Sequence, residues 1–245
     1  RDKAKAHAVQ ATQLAPNDYN AWFTLGTVLQ HNQDLPGALA AYDKALQFSD
    51  KHVDSHVSRA AVLIMLRRES EAEQVLQKLK RDGVQEPRAS FMRGNLAATR
   101  GDAQAAKAEY AVATGLIDSM PPGMRSSSEP LLMAGALSHR ALGNLGKTRE
   151  YLETLLARNS RHVGGSMLLA SVLLDLRDYQ KAVPLLEQLL RALPQDAQVM
   201  QMLGTAQMGR GQYAQAAELF ERASGKGSNT EALRELGMRP HTVLP

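Results

Sequence analysis

Few residues in this chain are spaced to do chemistry. His52 and His56 stand four apart with Asp54 between them, a spacing that sets two metal ligands on one helical face. The pair straddles a loop-to-helix boundary and has no strong third ligand nearby in sequence, so a metal centre is not expected. Ala141-Leu-Gly143-Asn-Leu-Gly146-Lys147-Thr148 ends like a loop that cradles phosphate with backbone N–H groups. Its first glycine is missing and no strand precedes it. Ser224-Gly-Lys-Gly-Ser228 reads as turn chemistry. There is no zinc-protease helix motif, no nucleophile elbow and no cysteine. Neither catalysis nor a cofactor nor a metal is expected.

Charge points away from nucleic acid. The formal charge of +4 comes from 29 basic and 25 acidic residues spread along the chain. The densest basic runs are Arg67-Arg68 and Lys78-Leu79-Lys80-Arg81, which is a solvated surface rather than a stripe that tracks phosphates. The longest apolar run, Met167 to Leu176, is broken by Ser171 and Asp175 and is too short to span a bilayer. No signal peptide is read at Arg1, which opens into Lys3, Lys5 and alternating alanines.

The elements that position these residues repeat. Ala4, Ala38, Ala72 and Ala106 stand 34 residues apart, and after one slip so do Thr148, Ala182 and Ala216. A constant period of this length means one helical hairpin used again and again. Hydrophobic content of 44% with only 4% aromatic suits short packed helices. A small residue recurs in the first helix of each hairpin: Gly26, Ala60, Gly94, Ala136, Ala170 and Gly204. A large one recurs in the second: Tyr42, Leu76, Tyr110, Leu152, Leu186 and Phe220. Two helices cross closely where one offers little side chain and the other fills the gap. Gly101-Asp102, Gly143-Asn144 and Gly211-Gln212 fall between the helices, where Gly ends one helix and Asp or Asn caps the next. Pro184 falls inside a helix and is expected to bend it.

The period predicts a single array over 1–245. Six complete units begin near Tyr19, Val53, Pro87, Glu129, Val163 and Ala197. Residues 1–18 read as the second helix of a cut repeat, 19–118 as three repeats and 129–228 as three more. Residues 229–245 read as the start of another cut repeat and a tail. Both ends are cut in mid-unit, so the chain is expected to be part of a longer array. Between the halves, 119–128 is a Pro/Gly/Ser-rich insertion that shifts the phase by eight residues, read as an inter-repeat loop or a docking loop.

The run Trp22-Phe-Thr-Leu25-Gly26-Thr-Val-Leu29, followed by Ala38-x3-Tyr42-x2-Ala45, resembles the tetratricopeptide (TPR) signature, with Leu29 in place of its usual tyrosine. The resemblance implies an all-α fold, a right-handed superhelical α-solenoid of antiparallel helix pairs. It further implies that the first helix of each unit lines a concave groove for protein or peptide partners. In this chain that face would be Phe23, Thr27 and His31, then Val57, Ile64 and Met65, then Phe91 and Asn95. Met133, Leu137 and Arg140 would follow, then Met167 and Ser171, and finally Gln201 and Met208. It is a mixed surface with adaptable methionines. Chaperone-tail-binding members clamp a terminal carboxylate, but Phe23 and Phe91 stand where that clamp wants lysine, and only Asn95 matches.

Ile117-Asp-Ser-Met-Pro-Pro with Glu129-Pro-Leu-Leu-Met-Ala-Gly-Ala resembles the bacterial PEP-CTERM-system TPR lipoproteins, as do Leu168-Leu-Ala-Ser-Val-Leu-Leu and Val199-Met-Gln-Met-Leu-Gly-Thr-Ala. Those proteins accompany exopolysaccharide synthesis and exosortase-type sorting. The resemblance implies a non-catalytic periplasmic scaffold, lipid-anchored to the outer membrane. Two alternatives stand beside it: the regulatory repeat region of a larger enzyme such as a glycosyltransferase, and a cytoplasmic assembly scaffold.

Overall fold

The computed structural model describes residues 2–224, which are helices and the turns that join them. The readings of 225–228 and 229–245 lie outside these residues. The chain divides into two compact bodies, one ending at Pro122 and one starting at Gly123.

In the first body, helix α1 (Asp2–Leu14) is followed by three hairpins: α2 (Tyr19–His31) with α3 (Leu35–Phe48), α4 (Val53–Met65) with α5 (Glu69–Arg81), and α6 (Pro87–Thr99) with α7 (Ala103–Asp118). Each second helix packs on its own first helix, and α3 and α5 also pack on the first helix that follows, α4 and α6. First helices also touch in sequence, α2 on α4 and α4 on α6. The second body holds α9 (Glu129–Ala141) with α10 (Leu145–Arg158), α11 (Val163–Asp175) with α12 (Tyr179–Ala192), and α13 (Ala197–Gly209) with α14 (Tyr213–Ser224), packed by the same rule. Among the described residues there is no strand.

The hairpins close on small-to-large contacts. Ala60, Ala170, Leu76 and Leu186 have no exposed surface. A methyl group built on Gly26 or Gly94 would stand 2.6 Å from the ring of Tyr42 or Tyr110, and one on Gly204 would stand 2.7 Å from Phe220. The fourth hairpin departs from the expected register. There the ring is Tyr151 and the glycine is Gly135, at 2.8 Å, each one residue before the expected Leu152 and Ala136. Ala136 and Leu152 remain fully buried beside them. Bulky Tyr151 takes the hole that Gly135 alone leaves open.

Side-chain caps start most helices, at the expected Asp102 among others. Asp34, Asp102 and Asp178 accept from the backbone N–H three residues on, at 3.1, 2.9 and 3.4 Å. Asn144 does not cap; its amide lies 3.4 Å from His139 Nδ1 instead. The turn between paired helices needs a left-handed residue, and Gly101, Gly143 and Gly211 supply it at φ 80, 79 and 78°. At the same place in the other three hairpins stand Gln33 (φ 65°), Arg67 (φ 61°) and Arg177 (φ 57°). A side chain there is strained by roughly 1–2 kcal/mol, partly offset by the unfolded-state freedom that glycine would add. Arg67→Gly is therefore expected to raise stability by about 0.5–1 kcal/mol, read from urea unfolding. Helix α12 runs through Pro184, which faces solvent.

The insertion is not a plain loop. α7 extends to 16 residues, longer than the other second helices, and absorbs part of the slip. Pro122 then opens a short helical turn, α8 (Pro122–Ser126). The Arg125 guanidinium of α8 sits 5.4 Å above the Tyr151 ring, and Arg158 donates to the carbonyl of Ser127 at 3.4 Å. These contacts tie the insertion to the fourth hairpin.

Candidate partner-binding site

The expected face is built by the first helix of each hairpin. Thirteen-residue helices starting at Tyr19, Val53 and Pro87 bring the fifth, ninth and twelfth residues of each to one side. In the first body Phe23 is half-buried, with its ring 5.8 Å from Tyr42 and edge-on to His52 at 5.1 Å. Phe91 repeats the arrangement 6.1 Å from Tyr110. Thr27 and His31 are exposed, Ile64 is half-buried and Met65 exposed. Val57 differs from the expectation. It is 3% exposed and packs in the core, because a β-branched chain at this place fills the space between α4 and its neighbours. It offers no surface to a partner.

Burial raises the Tyr110 phenol above its ordinary value, and does the same at Tyr42, where hydrogen bonding with Thr27 and Ser58 opposes it in part. Both phenols stay protonated at neutral pH and act as donors. Tyr42 donates to Gln30 Oε1 and Tyr110 to Asn95 Oδ1, each at 2.8 Å. Each carboxamide is thereby turned with its oxygen toward the ring, leaving its NH2 as a donor on the helix face. The neighbouring cation is spent. Arg88 reaches Glu86 and Asp54 at 2.6 Å each. Burial works against its charge, but the two carboxylates outweigh that and hold the guanidinium above its usual value.

In the second body Met133, Leu137, Met167 and Met208 are half-buried and Gln201 is exposed. Arg140 donates to Ser171 at 3.0 Å and lies 3.6 Å from Asp175, so two expected face residues engage each other across α9 and α11. The result in both bodies is a partly apolar face with its arginines satisfied. Sequence reasoning missed His52 as a member of this face. Its ring packs at a tilt against Tyr19 at 4.8 Å and edge-on against Phe23, and Nδ1 lies 2.7 Å from Ser55 Oγ. The clue was an aromatic pair, Tyr19 and Phe23, on the same side of α2.

The near-miss motifs are placed otherwise. His56 Nε2 engages the carbonyl of Asp50 at 2.7 Å, so the two histidines serve different neighbours. Among the described residues no group of His, Asp and Glu is arranged to hold a metal ion. Thr148, the hydroxyl of the phosphate-loop resemblance, has no exposed surface, and Lys147 pairs with Glu150 at 2.9 Å. No described helix is long and apolar enough to cross a membrane.

Comparison with known proteins agrees with this architecture. Residues 10–123 match the family model of the cytochrome c-type biogenesis protein H TPR domain. Residues 133–197 and 173–236 match tetratricopeptide repeat models. No curated protein matches the sequence. Among solved structures, the APC/C hetero-tetramer Cut9–Hcn1 superposes with a TM-score of 0.67 at 12% identity, covering 96% of this chain and 45% of that one. PilF of Pseudomonas aeruginosa gives 0.58 at 16% identity, covering 89% and 96%. Yeast Tom70 gives 0.57 at 17% identity, covering 86% and 43%. At these identities the likeness is one of fold.

Proposed function

Because the chain is a tetratricopeptide repeat protein, we propose that it is a non-catalytic scaffold that binds peptide or protein partners on the first-helix face of its hairpins. Repeats of this kind generally mediate protein–protein interaction and typically carry no catalysis. The observation that carries the reading is the composition of these faces: half-buried Phe23 and Phe91 beside oriented carboxamides in the first body, half-buried Met133 and Met167 in the second, with Arg88 and Arg140 already paired. Such a surface suits an extended segment with apolar side chains whose backbone carbonyls meet the amide donors.

The system served is, on this reading, a bacterial envelope assembly. The sequence likeness to TPR lipoproteins of exopolysaccharide and sorting systems supports a periplasmic scaffold. A second reading is favoured by the match of residues 10–123, nearly the whole first body, to the cytochrome c-type biogenesis model. It makes the partner a component of that biogenesis. Affinity capture from a native envelope, with the partner identified, separates the two.

Phe91→Ala and Met133→Arg are each expected to weaken the captured partner about tenfold while circular dichroism stays unchanged. A partner that binds both variants as tightly as the parent would remove the first-helix face as the working surface.

A further inference from the structure

Two cavities sit at the same phase of the repeat, one in each body, and they differ in charge. The first, about 330 Å³, lies between the turn before α4 and the ends of α4 and α5. Asp50 and Asp82 line it together with Lys51 and Lys78, and Lys78 pairs with Asp82 at 3.1 Å. The second, about 360 Å³, lies between the turn before α11 and the ends of α11 and α12. Every equivalent position is 110 residues further on, and there both acids are gone: Ser160 stands for Asp50 and Ala192 for Asp82. Arg161 stands for Lys51, and Arg191 joins the rim. Neither guanidinium has an ion pair or a hydrogen bond among the described residues.

The floor of this second notch is apolar, formed by Leu189, half-buried Leu185 and Val163, which is 41% exposed. Ser166 lines the cavity, is only 5% exposed, and its hydroxyl makes no hydrogen bond among the described residues. The hydroxyl is not sealed in the core: it opens into the notch, where it is a polar contact open to a ligand.

We propose that the notch is a second docking site, taking a short acidic peptide segment in which an apolar side chain adjoins the carboxylates. Two arginines without an ion pair, on a notch whose lining holds no acid, are complementary to carboxylates, which they bind in bidentate geometry. The volume is at the small end of ligand cavities and accommodates one or two side chains over Val163 and Leu189. Ser166 meets the backbone of the segment. No aromatic ring lines the notch to stack a base, so single-stranded nucleic acid is the disfavoured occupant. None of the lining residues belongs to the first-helix face, so this site and that one stand or fall separately.

The test uses the full chain and a fluorescein-labelled peptide, Gly-Leu-Glu-Leu-Asp-Leu-Glu-Gly, followed by fluorescence anisotropy. Binding is expected to weaken about tenfold in the double variant Arg161→Glu/Arg191→Glu. Ala192→Asp, an exposed change that restores the acid of the first notch, should weaken it similarly. Phe91→Ala should leave it intact, and the peptide with Gln and Asn in place of Glu and Asp should not bind. The proposal is overturned if the acidic peptide does not bind, if either notch variant binds it as the parent does, or if the uncharged peptide or a labelled single-stranded oligonucleotide binds as well as the acidic one.

Discussion

Glu109→Ala is expected to destabilise the first body by about 3–5 kcal/mol, read from denaturant unfolding. The reason lies at Arg93, which is 7% exposed. Its guanidinium donates to Glu109 Oε2 at 2.9 Å, to Ser90 Oγ at 2.8 Å and to the Leu76 carbonyl at 3.3 Å. Removing the carboxylate leaves a buried cation with two neutral acceptors, and the uncompensated charge rather than the lost contact sets the cost. Lys80, which reaches Glu109 at 2.6 Å, is half in solvent and adds little. Arg93→Met combined with Glu109→Leu should recover most of the loss, since an apolar pair of similar volume needs no counter-ion. A single-variant cost below about 1 kcal/mol would mean that Arg93 reaches water when Glu109 is gone.

Gly135→Leu is expected to cost about 3 kcal/mol, at the upper end of overpacking. Even the first carbon of the new side chain would stand 2.8 Å from the Tyr151 ring. That ring is hemmed in, with His139 at 5.5 Å and the Arg125 guanidinium at 5.4 Å, so it has little freedom to swing away. Tyr151→Ala in the same chain should give back part of the loss by reopening the space. Gly146→Leu is the control: an added carbon there meets nothing, and leucine is the better helix former. If thermal unfolding shifts equally little for Gly135→Leu and Gly146→Leu, the close crossing of α9 and α10 at Gly135 does not limit stability.

The hairpins were legible because their signals are local and repeated. Tyr19, Val53 and Pro87 each follow a turn and open a thirteen-residue apolar pattern, and first helices begin at those residues. What was hidden depends on three-dimensional competition. Ala136 and Gly135 are both small, and sequence phase alone could not say which would face the ring; Tyr151, larger than Leu152, decided it. Gln33, Arg67 and Arg177 carry no left-handed signature, so only the backbone revealed that they stand where Gly101, Gly143 and Gly211 do. The turn of helix at Pro122 was masked by surrounding serines and glycine. On the candidate face, Phe23 and Phe91 could be placed from their phase. Val57 shares that phase but went inward, since a short branched side chain reaches the core where a phenyl ring cannot fit. Pairing of Arg140 with Ser171 and Asp175 spans two units and has no sequence signal shorter than a repeat.

Arg88 and Asp54 occupy the same place in successive hairpins, 34 residues apart, and carry opposite charge. Arg59 likewise reaches back to Asp43 of the preceding hairpin at 2.6 Å. The seams are therefore not interchangeable. A copy of 53–86 inserted after itself would set one Asp54 against another, beside Glu86, and would turn the second Arg59 toward Gln77 rather than an acid. Although the hairpins look like identical beads, their joints are keyed, and the order of beads on the string is written in the joints. Duplication or shuffling of whole hairpins, the easiest way for such an array to lengthen, is penalised here unless both edges of the new joint change together.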